Sequence, residues 1–249
     1  MDQMGSAATY RRLWESGTYD QSGSTSSSDA STPPSDGSTP LLISLIDALQ
    51  QLRNGNRSIP RVFEGGAGSG HHALLLAEAG FLVTANEYDI RATKQMERLK
   101  ERLGDPSFLE IVVGDVADGV RAQEQGSLSA FYANSLLHTF SVEERSNLYK
   151  DIRRVQVPRG LIAVSFKAAG DALQHEGTLV RETEAGQIVS DQYGIQRLFV
   201  AHLEPLTKEL EAVGYRVIGT ATWELAEYIA VKNYGPGERK FIGVLAQRE

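Results

Sequence analysis

Short apolar segments alternate with longer amphipathic ones along most of the chain. The short segments are bounded by turn residues, a pattern typical of buried strands. The longer segments repeat apolar residues every three or four positions, which is typical of helices. We predict seven strands, at 61–64, 81–85, 109–113, 128–133, 161–166, 215–223 and 241–246. This alternation predicts an α/β fold, a mainly parallel sheet with helices on both faces.

Capping residues mark where several helices begin. Thr39-Pro40 has the pattern of an N-cap followed by proline at the first helical position. Asp89 is predicted to cap the helix after the second strand. Ser141 and Glu144 have the spacing of a capping box. These signals predict abrupt junctions between strands and helices.

Two segments depart from the alternation. Residues 1–39 include a long stretch of Ser, Thr, Gly, Asp and Pro, which buries too little apolar surface to offset its ordering entropy. We predict a flexible N-terminal arm, followed by one domain over 40–249. The connection at 168–202 is far too long for an ordinary loop. We predict that it forms a substrate-covering insert, with a hairpin around Ala185-Gly186.

Composition narrows the function classes. A chain of 249 residues that is 41% hydrophobic suits one large globular domain with additions. The absence of cysteine excludes disulfides, thiolate metal sites and a cysteine nucleophile. A formal charge of -7 disfavours nucleic acid, because binding to phosphates depends on Lys and Arg. No apolar run reaches membrane-span length, so we expect a cytoplasmic protein without membrane contact.

An acid followed by alternating glycines ends the first strand. Glu64 precedes Gly66, Gly68 and Gly70, and glycine tolerates the positive φ of a sharp strand-to-helix turn. The backbone of such a turn can lie against a ligand. A dinucleotide fingerprint would place its last glycine where this chain has His71, which argues against NAD. Two interpretations remain, another nucleotide-type ligand and a tight turn that binds none.

This turn and three later segments resemble, in order, the motifs of class I S-adenosylmethionine-dependent methyltransferases. The later segments are Asn86-Glu87-Tyr88, Gly114-Asp115-Val116 and Asn134 to His138, which follow the second, third and fourth strands. The resemblance runs from Arg61 to the C-terminus and implies a seven-stranded Rossmann-like sheet with S-adenosylmethionine as cofactor. Gly65 is one departure, because the family often has an apolar residue there.

The resemblance also implies residue roles. Glu64 would help to hold the cationic amino group of the methionine moiety, Glu87 the ribose hydroxyls and Asp115 the adenine amine. An ionised carboxylate is a pure acceptor and a diol offers two donors, so the ribose match is chemically sound. Capping of the next helix is the alternative for Glu87, and a solvated turn is the alternative for Asp115. The implied cofactor site comprises Glu64, Gly66, Ala67, Gly68, Gly70, Glu87, Tyr88, Asp115, Val116 and Asn134.

The acceptor side is predicted less directly. His138 follows the fourth strand, at the rim where open α/β sheets bind ligands, and histidine suits general-base catalysis near neutral pH. A histidine that only packs locally is the alternative. Lys167 and His175 would bind an acidic group, although charged residues of a surface insert are more often solvated. The predicted substrate-binding residues are Tyr19, His138, Lys167, His175 and Tyr193.

Together these expectations predict that the protein transfers a methyl group to oxygen or nitrogen of a small molecule. No spacing of histidines or carboxylates suits a metal, so we predict no catalytic metal. Two other functions stay open: non-methylating chemistry on the same scaffold, with S-adenosylmethionine bound, and a non-catalytic module of this fold.

Overall fold

The computed structural model describes residues 38–55, 58–191, 193–227 and 237–249. Its helices are α1 (Pro40–Gly55), α2 (His71–Glu78), α3 (Ile90–Lys100), α4 (Val116–Arg121), α5 (Val142–Val155), α6 (Ala172–Glu176) and α7 (Glu204–Glu211). Its strands are β1 (Arg61–Gly65), β2 (Leu82–Glu87), β3 (Leu109–Val113), β4 (Leu128–Ala133), β5 (Gln156–Ala168), β6 (Thr178–Glu182), β7 (Gly186–Ser190), β8 (Gln196–Val200), β9 (Tyr215–Glu227) and β10 (Gly237–Arg248). Residues 1–37, most of the predicted N-terminal arm, lie outside the described residues.

The described strands form one sheet. Its parallel part has the order β3-β2-β1-β4-β5, and β10 joins β5 antiparallel with β9 beyond it. These are the seven predicted strands, so the predicted fold is confirmed. The remaining strands, β6 to β8, come from the insert and extend the same sheet.

Strand β5 is the junction between the seven-stranded core and the insert. It pairs with β10 over 161–167, and its last two residues, Lys167 and Ala168, pair with β8. The hairpin predicted around Ala185-Gly186 is present as β6 and β7. The insert is therefore built onto the end of β5 as further sheet.

The start of β5 differs from the prediction. The strand was predicted to begin at residue 161, and β5 begins at Gln156, so that Pro158-Arg159-Gly160 lies inside it. Arg159 has a φ of 64°, and the pairing with β4 jumps from Leu128–Gln156 to Ala130–Leu161. The turn is thus a bulge that loops out between two paired stretches of one strand.

Both faces of the sheet are buried. Phe63, Phe131 and Ile162 face a core that includes residues of α4, α5 and α7. Their neighbours Val62 and Tyr132 face the other core, with α1, α2 and α3. Alternate residues of a strand point to opposite faces, so strands covered on both sides are almost wholly apolar. This explains why apolar runs predicted these strands well.

The predicted caps are present. The Leu42 amide donates to Thr39 Oγ1 at 3.2 Å, and the Arg91 amide donates to Asp89 Oδ1 at 3.0 Å. The capping box joins the Glu144 amide to Ser141 Oγ at 3.1 Å and the Ser141 amide to Glu144 Oε2 at 2.7 Å. Each cap supplies a hydrogen-bond acceptor to backbone amides of the first helical turn, which have no partner within the helix.

A buried ion pair joins two helices beneath the sheet. The Arg145 guanidinium on α5 donates to both carboxylate oxygens of Glu209 on α7, at 2.7 and 2.6 Å, and to the Phe140 carbonyl at 2.7 Å. Such bidentate pairs fix the geometry of the two side chains as well as pairing their charges.

None of the described helices combines the length and apolar character needed to cross a membrane.

Candidate active site

The predicted motif residues meet at one edge of the sheet. Strands β1, β2, β3 and β4 are parallel, so their carboxyl ends lie together. The glycine turn follows β1, Glu87 ends β2, Asp115 follows β3 and Asn134 follows β4. Open α/β sheets bind ligands at this edge. The fold therefore gathers the residues that the sequence separates.

The glycine turn has the predicted left-handed backbone. Gly66, Gly68 and Gly70 have φ values of 66°, 57° and 84°. The amide of Ala67 donates to the Asn86 carbonyl at 3.0 Å and ties the turn to β2. A Cβ on Gly68 would meet no atom of the described residues within 4 Å. The backbone at Gly68 thus borders open space, as a ligand cradle requires.

Glu87 holds this turn. Its Oε2 accepts from the Gly68 amide at 2.7 Å, and its Oε1 accepts from the amides of Tyr88 and Asp89 at 2.8 and 2.9 Å. A carboxylate has roughly four acceptor positions, so capacity for a further donor remains. Asp89, rather than Glu87, caps α3. Glu87 therefore orders the turn and can still accept from a ligand hydroxyl.

Glu64 is a buried carboxyl group beside the turn. It is 2% exposed, and its Oε2 is shielded from solvent without a hydrogen-bond partner among the described residues. Burial, and secondly the charge of Glu87, raise its pKa well above the usual value. A buried acid with an unsatisfied oxygen is costly alone and well suited to a cation. The cationic amino group of S-adenosylmethionine fits this environment.

Tyr132 and His72 surround Glu64, and neither was among the predicted cofactor-site residues. His72 Nδ1 lies 4.0 Å from Glu64 Oε1 and 3.3 Å from the Tyr132 hydroxyl. Tyr132 is buried, which raises its pKa, and Thr39 hydrogen-bonds to it. In the sequence Tyr132 reads only as an apolar strand residue, so no signal identified this network. It connects Thr39, the residue that caps α1, with the carboxyl group at the glycine turn.

Asn86 organises the segment after β3. It is buried, and its Nδ2 donates to the Gly114 carbonyl at 3.2 Å.

Asp115 Oδ1 accepts from the Ala117 amide at 2.8 Å, so Asp115 caps α4 and is not merely a solvated turn residue. Val116 packs into the core, where a Cβ on Gly65 would lie 2.6 Å from Val116 Cγ2. Methyltransferases of this class often have an apolar residue at the position of Gly65. In this protein a side chain there would collide with Val116, which explains the glycine.

Ser165 positions the segment after β4. Its hydroxyl donates to Asn134 Oδ1 at 2.7 Å and accepts from the Ser135 amide at 2.8 Å. Ser135 has a φ of 55°, which is uncommon for a residue other than glycine and is found most often near functional sites. The sequence offered no signal for Ser165, because it lies within an apolar strand.

His138 lies in a one-turn helix at 137–139 and is 4% exposed. Its Nδ1 is buried and has no hydrogen-bond partner within the described ranges. Burial, followed by the charges of Arg197 and Lys167, lowers its pKa well below the usual value. The ring is therefore neutral at neutral pH and retains one nitrogen that can accept a proton.

Lys167 lies beside His138 and is buried, so the expectation that it is solvated was wrong. It is 7% exposed, and its Nζ lies 3.4 Å from Asp171 Oδ2. The physical reason is that β5 runs further than predicted and is covered there by β8 and β10. Arg197, on β8, was not recognised from the sequence.

The other predicted acceptor residues are more dispersed. His175 is exposed at the end of α6, as expected for a solvated side chain. Tyr193 is half-buried between β7 and β8, and its amide donates to Asp191 Oδ1 at 2.9 Å. Tyr19 lies outside the described residues. Within the described ranges, no group of three or more His, Cys, Asp or Glu side chains is placed to hold a metal ion.

Comparisons with known proteins match part of the chain to a methyltransferase domain and its fold to solved structures. Residues 63–164 match a family model described as a methyltransferase domain. A sequence comparison with curated proteins finds no match.

Solved structures share the fold at low identity. One is a Burkholderia thailandensis 1,6-didemethyltoxoflavin-N1-methyltransferase with bound 1,6-didemethyltoxoflavin and S-adenosylhomocysteine, with 15% identity, a TM-score of 0.61 and coverage of 97% of this chain and 88% of that one. Another is the magnesium protoporphyrin IX methyltransferase ChlM of Synechocystis PCC 6803 with bound S-adenosylmethionine, with 15% identity, a TM-score of 0.52 and coverage of 84% and 78%. The 4+2 cyclase SpnF has 16% identity, a TM-score of 0.54 and coverage of 82% and 80%. The predicted resemblance and fold are confirmed.

Proposed function

Because the chain has the class I S-adenosylmethionine-dependent methyltransferase fold and a matching methyltransferase domain, we propose that it transfers a methyl group from this cofactor to oxygen or nitrogen of a small molecule. The observation that carries the proposal is the contact between the two main motifs, in which Glu87 holds the Gly68 amide at 2.7 Å. A turn that binds nothing needs neither this carboxylate nor the open space at Gly68.

The residues at the sheet edge offer a complementary partner for each part of the cofactor. Glu87 has acceptor capacity for the ribose diol, and Asp115 with Val116 lies where the adenine would sit. Glu64 supplies the anion for the amino group, and Asn134, held by Ser165, lies on the methionine side. The remaining contacts come from the turn and the residue after Glu87, namely Gly66, Ala67, Gly70 and Tyr88.

The protein's task in this chemistry is alignment. The sulfonium of S-adenosylmethionine already activates its methyl group, so the site needs to orient an acceptor and exclude water. His138 is the residue we propose at the acceptor, where a neutral imidazole can take a proton from an acceptor that enters protonated. Lys167 and Tyr193 line the acceptor side, and His175 and Tyr19 remain proposals for its outer rim.

A small-molecule acceptor is favoured by two comparisons. The enzymes that share this fold include one crystallised with 1,6-didemethyltoxoflavin and one named for magnesium protoporphyrin IX. The insert, 168–202, extends the sheet beside Lys167, where it can bound an acceptor.

Non-methylating chemistry is the second candidate, favoured by the similarity to the cyclase SpnF. A bound cofactor cation can assist a reaction without losing its methyl group. The two candidates share the cofactor site and differ only in the product.

Calorimetric titration with S-adenosylmethionine and S-adenosylhomocysteine tests the cofactor assignment. We expect both to bind, and binding of neither would contradict the proposal. Incubation of S-adenosylmethionine and the protein with acceptor mixtures, followed by mass spectrometry, then separates the two chemistries. A methylated product gains one carbon and two hydrogens. Conversion of an acceptor without that gain, with the cofactor unchanged, supports the second candidate.

Cofactor binding is expected to release protons through Glu64. In the free protein burial raises the pKa of Glu64, so this carboxyl group holds a proton at pH values where an exposed one has lost it. The cationic amino group favours the carboxylate and lowers that pKa on binding. Affinity for S-adenosylhomocysteine should therefore rise with pH as the carboxyl group of Glu64 in the free protein loses its proton.

Titrations at about pH 6.5, where the α-amino group is protonated, measure this release. Phosphate and imidazole both buffer at this pH and have different ionisation enthalpies, so the observed binding enthalpy should differ between them for the wild type. Glu64→Gln should bind more weakly, with equal enthalpies in the two buffers. Equal enthalpies for the wild type would contradict the prediction.

A further inference from the structure

A second pocket, which we call the basic pocket, lies away from the candidate active site. Its volume is about 490 Å³, within the range of small-molecule sites. Three of its residues belong to the last two turns of α5, and three form the turn between α7 and β9. The residues that line it are Lys150, Arg153, Arg154, Ala212, Val213 and Gly214. None of them is part of the proposed cofactor or acceptor site.

The basic pocket lies at the opposite edge of the sheet from the glycine turn. The amides of Gly126 and Ser127, just before β4, donate to the carbonyls of Arg154 and Val155 at 3.4 and 2.8 Å. Strand β9, which follows the turn at 212–214, runs in the direction of β5 because both pair antiparallel with β10. The pocket therefore lies where strands begin, whereas the motif residues lie where strands end.

The three cationic side chains of the pocket have no carboxylate partner in the described part of the chain. Asp151, the acid between them on α5, is ion-paired with Arg121 at 3.3 Å. Arg154 donates to the Arg121 carbonyl at 3.0 Å, and Arg153 donates to the Glu249 main-chain oxygen at 3.5 Å. The chain has a formal charge of -7, so three cations gathered without a carboxylate are unusual for it.

Arg153 differs in this respect from the other arginine that α5 directs at α7. The Arg145 guanidinium is held by both carboxylate oxygens of Glu209. Arg153 lies about two turns further along α5, and it meets the turn that follows α7. A Cβ on Gly214 would lie 2.9 Å from Arg153 Nε, so the guanidinium packs closely against this glycine. The structure thus places Arg153 beside backbone where Arg145 has a carboxylate.

The end of a helix accounts for only part of this arrangement. Helix C-termini favour cations, and Arg153 and Arg154 lie in the last turn of α5. A fully solvated arginine would satisfy that preference. Arg153 is instead half-buried, and its Nε is shielded from solvent with no hydrogen-bond partner among the described residues. A buried donor without an acceptor costs free energy, and an anion in the pocket would offset this cost.

We propose that the basic pocket binds the phosphate group of a small phosphate ester. Guanidinium groups present paired N–H donors that match phosphate oxygens, and Lys150 adds a further positive charge. A phosphate monoester carries nearly two negative charges at neutral pH, which suits three cations better than one carboxylate does. Ala212 and Val213 provide an apolar wall for the organic part of the ester. This ligand is separate from the cofactor and the methyl acceptor, so the proposal does not depend on methyl transfer.

Calorimetric titration of the full chain with phenyl phosphate tests the proposal. Benzoate and inorganic phosphate are the comparison ligands, because one lacks the phosphate group and the other lacks the ring. Each titration is made with and without S-adenosylhomocysteine, which distinguishes the basic pocket from the cofactor site. We expect phenyl phosphate to bind at least about tenfold more tightly than benzoate, and more tightly than inorganic phosphate.

Neutral variants locate the bound phosphate. Arg153→Gln and Lys150→Gln should each weaken the binding of phenyl phosphate by about tenfold or more. Lys150 is exposed, so its variant tests the site even where Arg153→Gln fails to fold. Arg98→Gln is the matched control, because Arg98 is an exposed arginine in the last turn of another helix, α3, and should leave the affinity unchanged.

Several results would overturn the inference. These are no binding of phenyl phosphate, equal binding of benzoate, or an affinity that both pocket variants leave unchanged. An equal affinity for inorganic phosphate would overturn the assignment of an ester. Tighter binding of hexa-aspartate would replace it with an acidic protein segment. Failure of S-adenosylhomocysteine to bind in its own titration contradicts the proposed function alone, whatever phenyl phosphate does.

Discussion

Replacement of Glu87 with alanine is expected to lower the affinity for S-adenosylhomocysteine by at least about 100-fold. Glu87 accepts from three backbone amides, those of Gly68, Tyr88 and Asp89, and its remaining capacity is assigned to the ribose. Hydrogen bonds to charged groups contribute about 1.5–3 kcal/mol each. The alanine variant loses the ribose contact and also loosens the turn, which accounts for about 3 kcal/mol in binding.

Two further variants make this prediction specific to the carboxylate. Glu87→Gln keeps one acceptor oxygen and should lose roughly tenfold, between wild type and alanine. Asp118→Ala removes a carboxylate that is 71% exposed on the nearby α4 and should leave the affinity unchanged. Titration calorimetry measures all four proteins. A wild-type affinity in Glu87→Ala would show that the β2 acid has no part in ligand binding.

Alanine at Gly70 and alanine at Gly68 are expected to fail in different ways. Both glycines have positive φ, which costs an alanine about 1–2 kcal/mol. At Gly70 the new Cβ would also lie 2.0 Å from Met96 Cγ, in the core, and overpacking of this kind costs about 1–3 kcal/mol more. We therefore expect Gly70→Ala to lose about 3 kcal/mol of unfolding free energy.

Gly68→Ala should lose less stability and more ligand affinity. Its Cβ would meet no atom within 4 Å in the part of the chain that the structure describes, so we expect the methyl group to enter the space assigned to the cofactor. Urea unfolding without ligand, followed by titration with S-adenosylhomocysteine, measures both quantities for each variant. Equal stability of the two variants, with equal affinity, would contradict the assignment of Gly70 to packing and Gly68 to ligand contact.

The sequence predicted those parts of the fold that depend on local patterns. Strands β3 and β4 have the bounds that their apolar runs indicated, and Ser141 and Asp89 cap their helices. The start of β5 was predicted too late, at residue 161, because proline and glycine at 158 and 160 signal a break locally and cannot show that the chain resumes the same strand.

Site residues could be predicted from the sequence when a charged residue or a glycine directly follows a predicted strand. Glu87 and the glycines stand out in the sequence for this reason, and the structure brings them into contact. Asn86, Ser165 and Tyr132 act through partners that are distant in sequence, so only the folded chain reveals them. The burial of Lys167 depends on the pairing of β8 with the end of β5, which no local pattern encodes.

Strand β5 determines the separation of the two halves of the site. Ser165, which orients Asn134 on the donor side, and Lys167, which acts on His138, are two positions apart on one strand and point to the same face. Their backbone separation is about 6.6 Å, the rise of two strand residues. Both residues lie in one continuous strand, so β5 itself sets the spacing between the proposed cofactor side and the proposed acceptor side.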